Sequence, residues 1–151
     1  QGEHWPDSDI LEDNGYTVLR IVHYDAMIKL LNKKRCDYFP RAIFEGRAEF
    51  NERGVNYPNV ALVETTLLQY SLPMYFFVKQ GNHALAKRLT EGLTEAISDG
   101  SLLKLMKSHE LTRFIFPITQ WENAKIFKLS NLNFSKDTLL DDEKLWLILG
   151  K

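Results

Sequence analysis

The clearest pattern of apolar and polar positions lies between residues 82 and 100, where leucine or isoleucine recurs at every fourth position. This spacing places the apolar side chains on one face of an α-helix and the charged residues on the other. Asn82 is of a type that caps helix N-termini, and Asp99-Gly100 is a stop signal. The pattern therefore predicts an amphipathic helix whose apolar stripe consists of Leu85, Leu89, Leu93 and Ile97.

Short apolar runs surround this helix. Residues 74–78 predict a short strand before it, and residues 60–70, rich in Val, Leu and Thr without helical periodicity, predict an extended strand further upstream. After the helix, residues 102–106 predict a second, shorter helix. The last apolar group, residues 145–149, is expected to dock on the body of the domain.

The first half of the chain alternates between helical and extended patterns. A short helix is predicted to open at Pro6, with Asp7 or Ser8 as its cap, and to stop at Asn14-Gly15. Further elements follow in the order strand, helix, strand, helix, at residues 16–22, 26–31, 36–39 and 43–50. This alternation predicts the α/β fold class.

Composition and charge exclude several classes of partner. The 151 residues are 44% apolar and 26% charged, which is ordinary for a globular domain. The net charge of -1 is spread along the chain, so neither nucleic acid nor an anionic membrane is an expected partner. No apolar run approaches the roughly 20 residues that span a bilayer. The single cysteine, Cys36, excludes an internal disulfide.

The order of elements between residues 71 and 108 resembles the closing segment of type II periplasmic solute-binding proteins (extracellular solute-binding protein family 3-like). A short strand, a Lys-Gln-Gly turn, a long helix capped by Asn, an Asp-Gly stop and a second short helix follow one another in that order. Residues 2–15, 24–38 and 60–71 are similar to motifs of the second lobe of these proteins. The resemblance implies a three-layer lobe of the periplasmic-binding-protein type II fold, with residues 1–73 as the second lobe and residues 74–151 as the hinge return and C-terminal helical segment of the first.

The complete two-lobed proteins that this chain resembles are longer, and both the beginning and the end of their chain belong to the first lobe. The resemblance therefore implies that the first half of lobe one is absent here. In that case the apolar stripe must pack against some other surface. We expect either that the chain forms a homodimer with exchanged or rearranged elements, or that it is a fragment of a longer protein.

The resemblance implies a non-enzymatic function. A small polar or anionic solute would bind between two lobes joined by a hinge near residues 60–73, and a transporter permease (of an ABC transporter) or a membrane sensor would read the closed state. It also implies a periplasmic location after removal of a signal peptide, and no cofactor. A protein interaction module that dimerises through its apolar C-terminal helix is the alternative, and a lyase or dehydratase on the same fold is a remote one.

Three side chains are candidate ligand contacts. Trp5 precedes the first helix, where it would stack on a ligand or, equally, pack as a hydrophobic staple. In the amino-acid binders of this family, an acidic residue a few positions after an Asp of the strand binds the ammonium group of the ligand. Counting the same distance from Asp37 reaches Ala42, so the expected carboxylate is absent from this chain. The neighbouring Arg41 would instead clamp a carboxylate or phosphate, and Glu45 would pair with Arg41 or receive a cation. The alternative for Arg41 and Glu45 is a plain surface ion pair at i, i+4 spacing with no role in binding.

The sequence carries no catalytic or metal-binding pattern that we can name. The four histidines lie far apart without ligand spacing, and neither a nucleophile elbow nor a P-loop is present. Cys36 begins an apolar run and is expected to be a core thiol. We therefore predict no catalytic residues and no metal ligands.

Overall fold

The computed structural model describes residues 1–148, which are mixed helix and strand and 41% helical. Helices and strands follow in the order α1 (Pro6–Asp13), α2 (Tyr24–Asn32), α3 (Gly46–Glu52), β1 (Thr66–Gln69), α4 (His83–Ser98), α5 (Ser101–Ser108) and β2 (Lys125–Lys128). Single 3₁₀ turns occur at Gly54–Asn56, Arg113–Ile115, Ile118–Trp121 and Glu143–Leu145.

The two strands form a parallel sheet in which Thr66 pairs with Lys125 and Gln69 with Lys128. Parallel strands need a long crossover connection, and here α4 and α5 lie in it. This agrees with the predicted α/β class, while the three-layer lobe stays a prediction. One strand of the sheet lies before the predicted domain boundary after residue 73 and the other lies after it. The division of the chain into residues 1–73 and 74–151 also stays a prediction.

Helix α1 begins with Pro6 at its first position, where a missing N–H costs nothing. The predicted cap is wrong, because Trp5 occupies the N-cap position and no side chain caps the helix. Ser8 is fully buried, and its hydroxyl instead donates to the Gly2 carbonyl at 2.6 Å. The predicted stop is confirmed, with Asn14 as C-cap and Gly15 at φ 83°.

Two predicted strands in the first half are wrong. Residues 16–22 make a single parallel bridge, between Gly2 and Ile21, and residues 36–39 form no strand. A strand needs a neighbouring chain along its whole length, and beside Ile21 only the first three residues supply one. Pro40, which lacks an N–H, ends the second run before any ladder forms.

The predicted strand at residues 74–78 is also wrong. No neighbouring segment of the described chain pairs with these residues, and they form no strand. Their side chains are largely exposed on both faces, with Met74 at 85% and Phe77 at 92% of full exposure. Apolar character on both faces is typical of a strand buried inside a sheet, and residues 1–148 do not surround this one with a sheet.

The long helix is confirmed as α4. The Asn82 side chain accepts a hydrogen bond from the Leu85 N–H at 3.2 Å, and Gly100 ends the helix region with φ 77°. Helix α3 starts later than the predicted residue 43, because the Ala42 carbonyl first accepts the N–H groups of Glu45 and Gly46 in a turn.

The buried core is small. Among the described residues, its apolar side chains come from α1, α2 and the 3₁₀ turns after α5, and they are Ile10, Leu11, Met27, Ile115 and Trp121. No side chain of α4 or α5 is buried. The expected docking of the C-terminal group is wrong for Leu145 and Leu147, which are exposed, and Leu149 lies outside the described residues.

Two contacts bring the sheet to α1. Asn14 exchanges hydrogen bonds with the backbone of Ser130, at 2.7 and 3.0 Å, just beyond β2. Tyr70, just beyond β1, donates its hydroxyl to Asp7 in the first turn of α1. The carboxyl end of the sheet therefore lies against α1, with Tyr70 at the N-terminal turn of the helix and Ser130 at its C-cap. No helix within residues 1–148 combines the length and apolar character that crossing a membrane requires.

Candidate functional site

Trp5 lies at the N-terminus of α1 and faces two aromatic rings from other parts of the chain. Its ring stacks on Phe39 with centroids 6.4 Å apart and an interplanar angle of 20°, and it tilts against Tyr24 at 6.3 Å and 42°. Gly2 makes room for the indole, since a Cβ at that position would overlap the Trp5 ring. The staple interpretation of Trp5 is therefore incomplete, because its contacts are to the chain beyond its own helix.

The guanidinium of Arg41 lies against these three rings. Its Cζ is 4.8 Å from the centroid of Trp5, 5.4 Å from that of Phe39 and 5.8 Å from that of Tyr24. The negative face of an aromatic ring attracts a cation at such distances, and the attraction grows as water is excluded. The guanidinium of Arg41 is therefore surrounded by three aromatic rings.

Two carboxylates bind the edge of the same guanidinium. Nε and Nη2 of Arg41 each donate to one oxygen of Glu49 at 2.7 Å, which is the two-pronged geometry that suits this side chain. Nη2 also lies 2.8 Å from Glu45, at the i, i+4 spacing that the sequence suggested. The Arg41 and Glu49 side chains are 17% and 21% exposed and Glu45 is 37% exposed, so the pair with Glu49 is the more protected.

Burial and pairing shift the pKa values of this cluster. Burial by itself would raise the pKa of Glu49, but hydrogen bonds from Arg41 and Tyr24 lower it below its usual range. Burial would likewise lower the pKa of Arg41, and the Glu49 hydrogen bonds raise it instead. Burial, together with Glu49, raises the pKa of Tyr24 to about 12. The pair is therefore fully charged at neutral pH.

Tyr70 and Asp7 form a second polar contact next to this cluster. The Tyr70 hydroxyl donates to an Asp7 carboxylate oxygen at 2.5 Å. Burial and this hydrogen bond raise the pKa of Tyr70 well above its usual range, and the positive charge of Arg41 opposes that shift. Because Asp7 lies beside Trp5 in α1, the contact joins the carboxyl end of β1 to the edge of the cluster.

We call the cluster the Arg41 site, and it consists of Trp5, Tyr24, Phe39, Arg41, Glu45 and Glu49. The structure brings together all three candidate contacts that the sequence suggested, Trp5, Arg41 and Glu45, and their role in binding stays a prediction. His4, by contrast, points to solvent with a side chain that is 87% exposed.

Sequence reasoning missed Tyr24, Phe39 and Glu49. Glu49 lies eight residues after Arg41 and four after Glu45, so a search for carboxylates at successive helical turns would have found it. The two aromatic residues carried no local signal, because only the tertiary fold brings residues 24 and 39 to residue 5.

Phe39 also lines a cavity of about 280 Å³. Its walls include Leu11, Val18, Met27, Leu30 and Cys36. Burial raises the pKa of the Cys36 thiol, which is therefore protonated at neutral pH. A protonated thiol is a poor nucleophile.

Within residues 1–148, no group of three His, Cys, Asp or Glu side chains is placed to hold a metal ion. Comparison of the chain with protein-family models, with curated proteins and with solved structures finds no match.

Proposed function

We propose that this chain binds a small polar or anionic solute at the Arg41 site and contributes one wall of a type II solute-binding clamp outside the cytoplasm. The observation that carries the proposal is the guanidinium of Arg41, which lies over the Trp5 ring with its Cζ 4.8 Å from the ring centroid and is contacted at Nη2 by the partly exposed Glu45. Solute sites combine an aromatic surface with a few fixed polar groups, and this cluster has both.

The two carboxylates have different parts in the proposed binding step. Glu49 holds Arg41 through two hydrogen bonds and sets the plane of the guanidinium. Glu45 makes one contact to Nη2 and is more exposed, so it is the one that an incoming carboxylate or phosphate would displace. The solute would then share Arg41 with Glu49 and lie against the indole of Trp5.

The mechanism is clamp closure. A solute that binds the Arg41 site and a facing lobe at the same time stabilises the closed state by its extra contacts there. A transporter permease or a membrane sensor then reads the closed state. The mechanism needs no cofactor and involves no catalytic step, and the proposed cellular location is the periplasm.

Thermal unfolding with a panel of small carboxylates, phosphates, amino acids and sugars tests the proposal. A solute at one hundred times its Kd adds about 2.7 kcal/mol to the free energy of unfolding, which is readily measured as a higher Tm. We expect Trp5→Ala and Arg41→Lys to abolish the shift, since Lys keeps the charge but loses the planar hydrogen-bonding edge. Glu45→Gln should tighten binding of an anionic solute, because it removes the competing charge.

The matched control is Arg47→Lys. Arg47 also pairs with a glutamate, Glu64, but at an exposed position outside the Arg41 site, so its substitution should leave the solute shift unchanged. Two results would contradict the proposal: no solute at millimolar concentration raises Tm, or a solute does so equally well in the Trp5 and Arg41 variants.

A further inference from the structure

Helix α4 carries a line of small and apolar residues that the described chain covers only in part. Leu85, Leu89, Gly92 and Ala96 follow one another at spacings of three and four, and they therefore share one face of the helix. Leu85 is 43% exposed and Gly92 is exposed, whereas Leu89 and Ala96 are partly covered. We call these four residues the α4 line.

Arg88 and Glu95 lie on the same flank of the α4 line. They are seven residues apart, which is close to two full helical turns, so their side chains leave the helix in nearly the same direction. Within residues 1–148 neither of them has an ion-pair partner, although Lys87 and Glu91 on the far side of the helix pair at 3.7 Å. The positive charge of Arg88 and the negative charge of Glu95 therefore lie along the same edge of the α4 line, one before Gly92 and one after it.

Gly92 lies between these charges, near the middle of α4. Glycine destabilises a helix interior relative to alanine, so a glycine at this position suggests a structural requirement for a small residue. A Cβ at residue 92 would meet no heavy atom within 4 Å outside the backbone of its own helix, so no contact in the described chain requires a glycine. A second helix crossing at this point would supply a reason, because glycine lets two backbones approach closely.

We propose that the α4 line is a self-association surface, on which α4 of a second copy of this chain packs antiparallel with the two-fold axis near Gly92. In this arrangement Arg88 of one copy faces Glu95 of the other, and the symmetry repeats the pair. In a parallel two-fold pair the two charged flanks would lie on opposite sides of the helix pair, so Arg88 and Glu95 of different copies could not meet. Charge complementarity therefore selects the same helix of a second copy as the occupant, and the proposal does not depend on solute binding.

Sedimentation velocity and light scattering of the full chain, from about 1 to 200 μM, test the proposal. The wild-type chain should approach twice its mass of 17.6 kDa as its concentration rises. Arg88→Glu and Glu95→Arg should each weaken the dimer by at least about tenfold, because each reversal turns both ion pairs into repulsions. The double variant R88E/E95R should recover wild-type association within about threefold.

A mixture of the two single variants gives the sharpest test. When Arg88→Glu meets Glu95→Arg, both cross-helix pairs are again attractive, so the mixture should form a heterodimer although each variant alone is monomeric. Lys104→Glu, an exposed charge reversal on α5, is the matched control and should not change the association. Circular dichroism of each variant identifies any that fails to fold, and the double variant R88E/E95R retains the test if a single variant is unfolded.

Three results would overturn the proposal. The wild-type chain is monomeric at 200 μM, or a dimer forms that neither charge reversal weakens, or the double variant and the mixture both fail to associate although the variants are folded. The second result would move the dimer to another surface, and the third would exclude the antiparallel pairing of α4.

Discussion

Replacement of Arg41 by alanine should destabilise the chain more than the loss of any exposed ion pair. The substitution removes two hydrogen bonds of 2.7 Å to Glu49 and the contacts of the guanidinium with three aromatic rings. It also leaves Glu49, which is only 21% exposed, without its cation. All of these effects favour the unfolded state of the variant.

The magnitude follows from the exposure of the pair. An exposed ion pair contributes about 0.2–1 kcal/mol, whereas removing one partner of a fully buried pair costs about 3–5 kcal/mol. Side chains that are about one-fifth exposed lie between these limits, and we expect a loss of about 2–3 kcal/mol. In a chain of this length that corresponds to a Tm lower by about 4–12 °C.

Urea unfolding followed by tryptophan fluorescence measures this loss directly. The matched control is Arg47→Ala, which breaks an arginine–glutamate pair whose two side chains are each 41% exposed and should cost less than about 1 kcal/mol. A double-mutant cycle with Glu49→Ala should give a coupling free energy above about 1 kcal/mol. If Arg41→Ala costs no more than Arg47→Ala, or the coupling is near zero, Arg41 does not hold this part of the fold together.

Three further predictions concern single side chains. The pKa of Glu49 is lowered on folding, so its contribution to stability is present above its unfolded value of 4.5 and is lost as the pH falls through the folded value; acid titration of Glu49→Gln should accordingly show a weaker loss of stability below about pH 4.5 than the wild type. Tyr70→Phe removes the hydrogen bond to Asp7 and should lower the free energy of unfolding by about 1–2 kcal/mol, and an unchanged urea midpoint would contradict this. Gly92→Ala should raise the stability of the monomer by about 1 kcal/mol, since the new methyl group meets no other atom, and a lower Tm in dilute solution would refute it.

Local signals predicted helices better than strands in this chain. The ends of α4 follow from Asn82 and Gly100, whose effects on capping and on the left-handed turn act within a few residues. The predicted strand at residues 74–78 had an equally clear apolar pattern, but a strand also needs a neighbour that lies far away in sequence. No described segment pairs with it, so the pattern alone was not sufficient.

In the Arg41 site, too, some residues could be predicted from local spacing and others could not. Arg41 and Glu45 could be paired from their spacing, and Trp5 was a candidate from its place before a helix, because both inferences use local geometry. The contact between Trp5 and Arg41 joins positions 36 residues apart, and no periodicity reports such a distance. The remaining aromatic walls and the two-pronged carboxylate were likewise visible only in the folded chain.

By itself the amino-acid sequence determined the mixed helical and extended character of the chain, the limits of α4 and its apolar stripe, and a short set of polar and aromatic candidates. Each of these depends on side chains within about two helical turns of one another. Only the tertiary structure decided which extended segments became strands and which rings and carboxylates surround Arg41, because pairing and burial depend on parts of the chain that are distant in sequence.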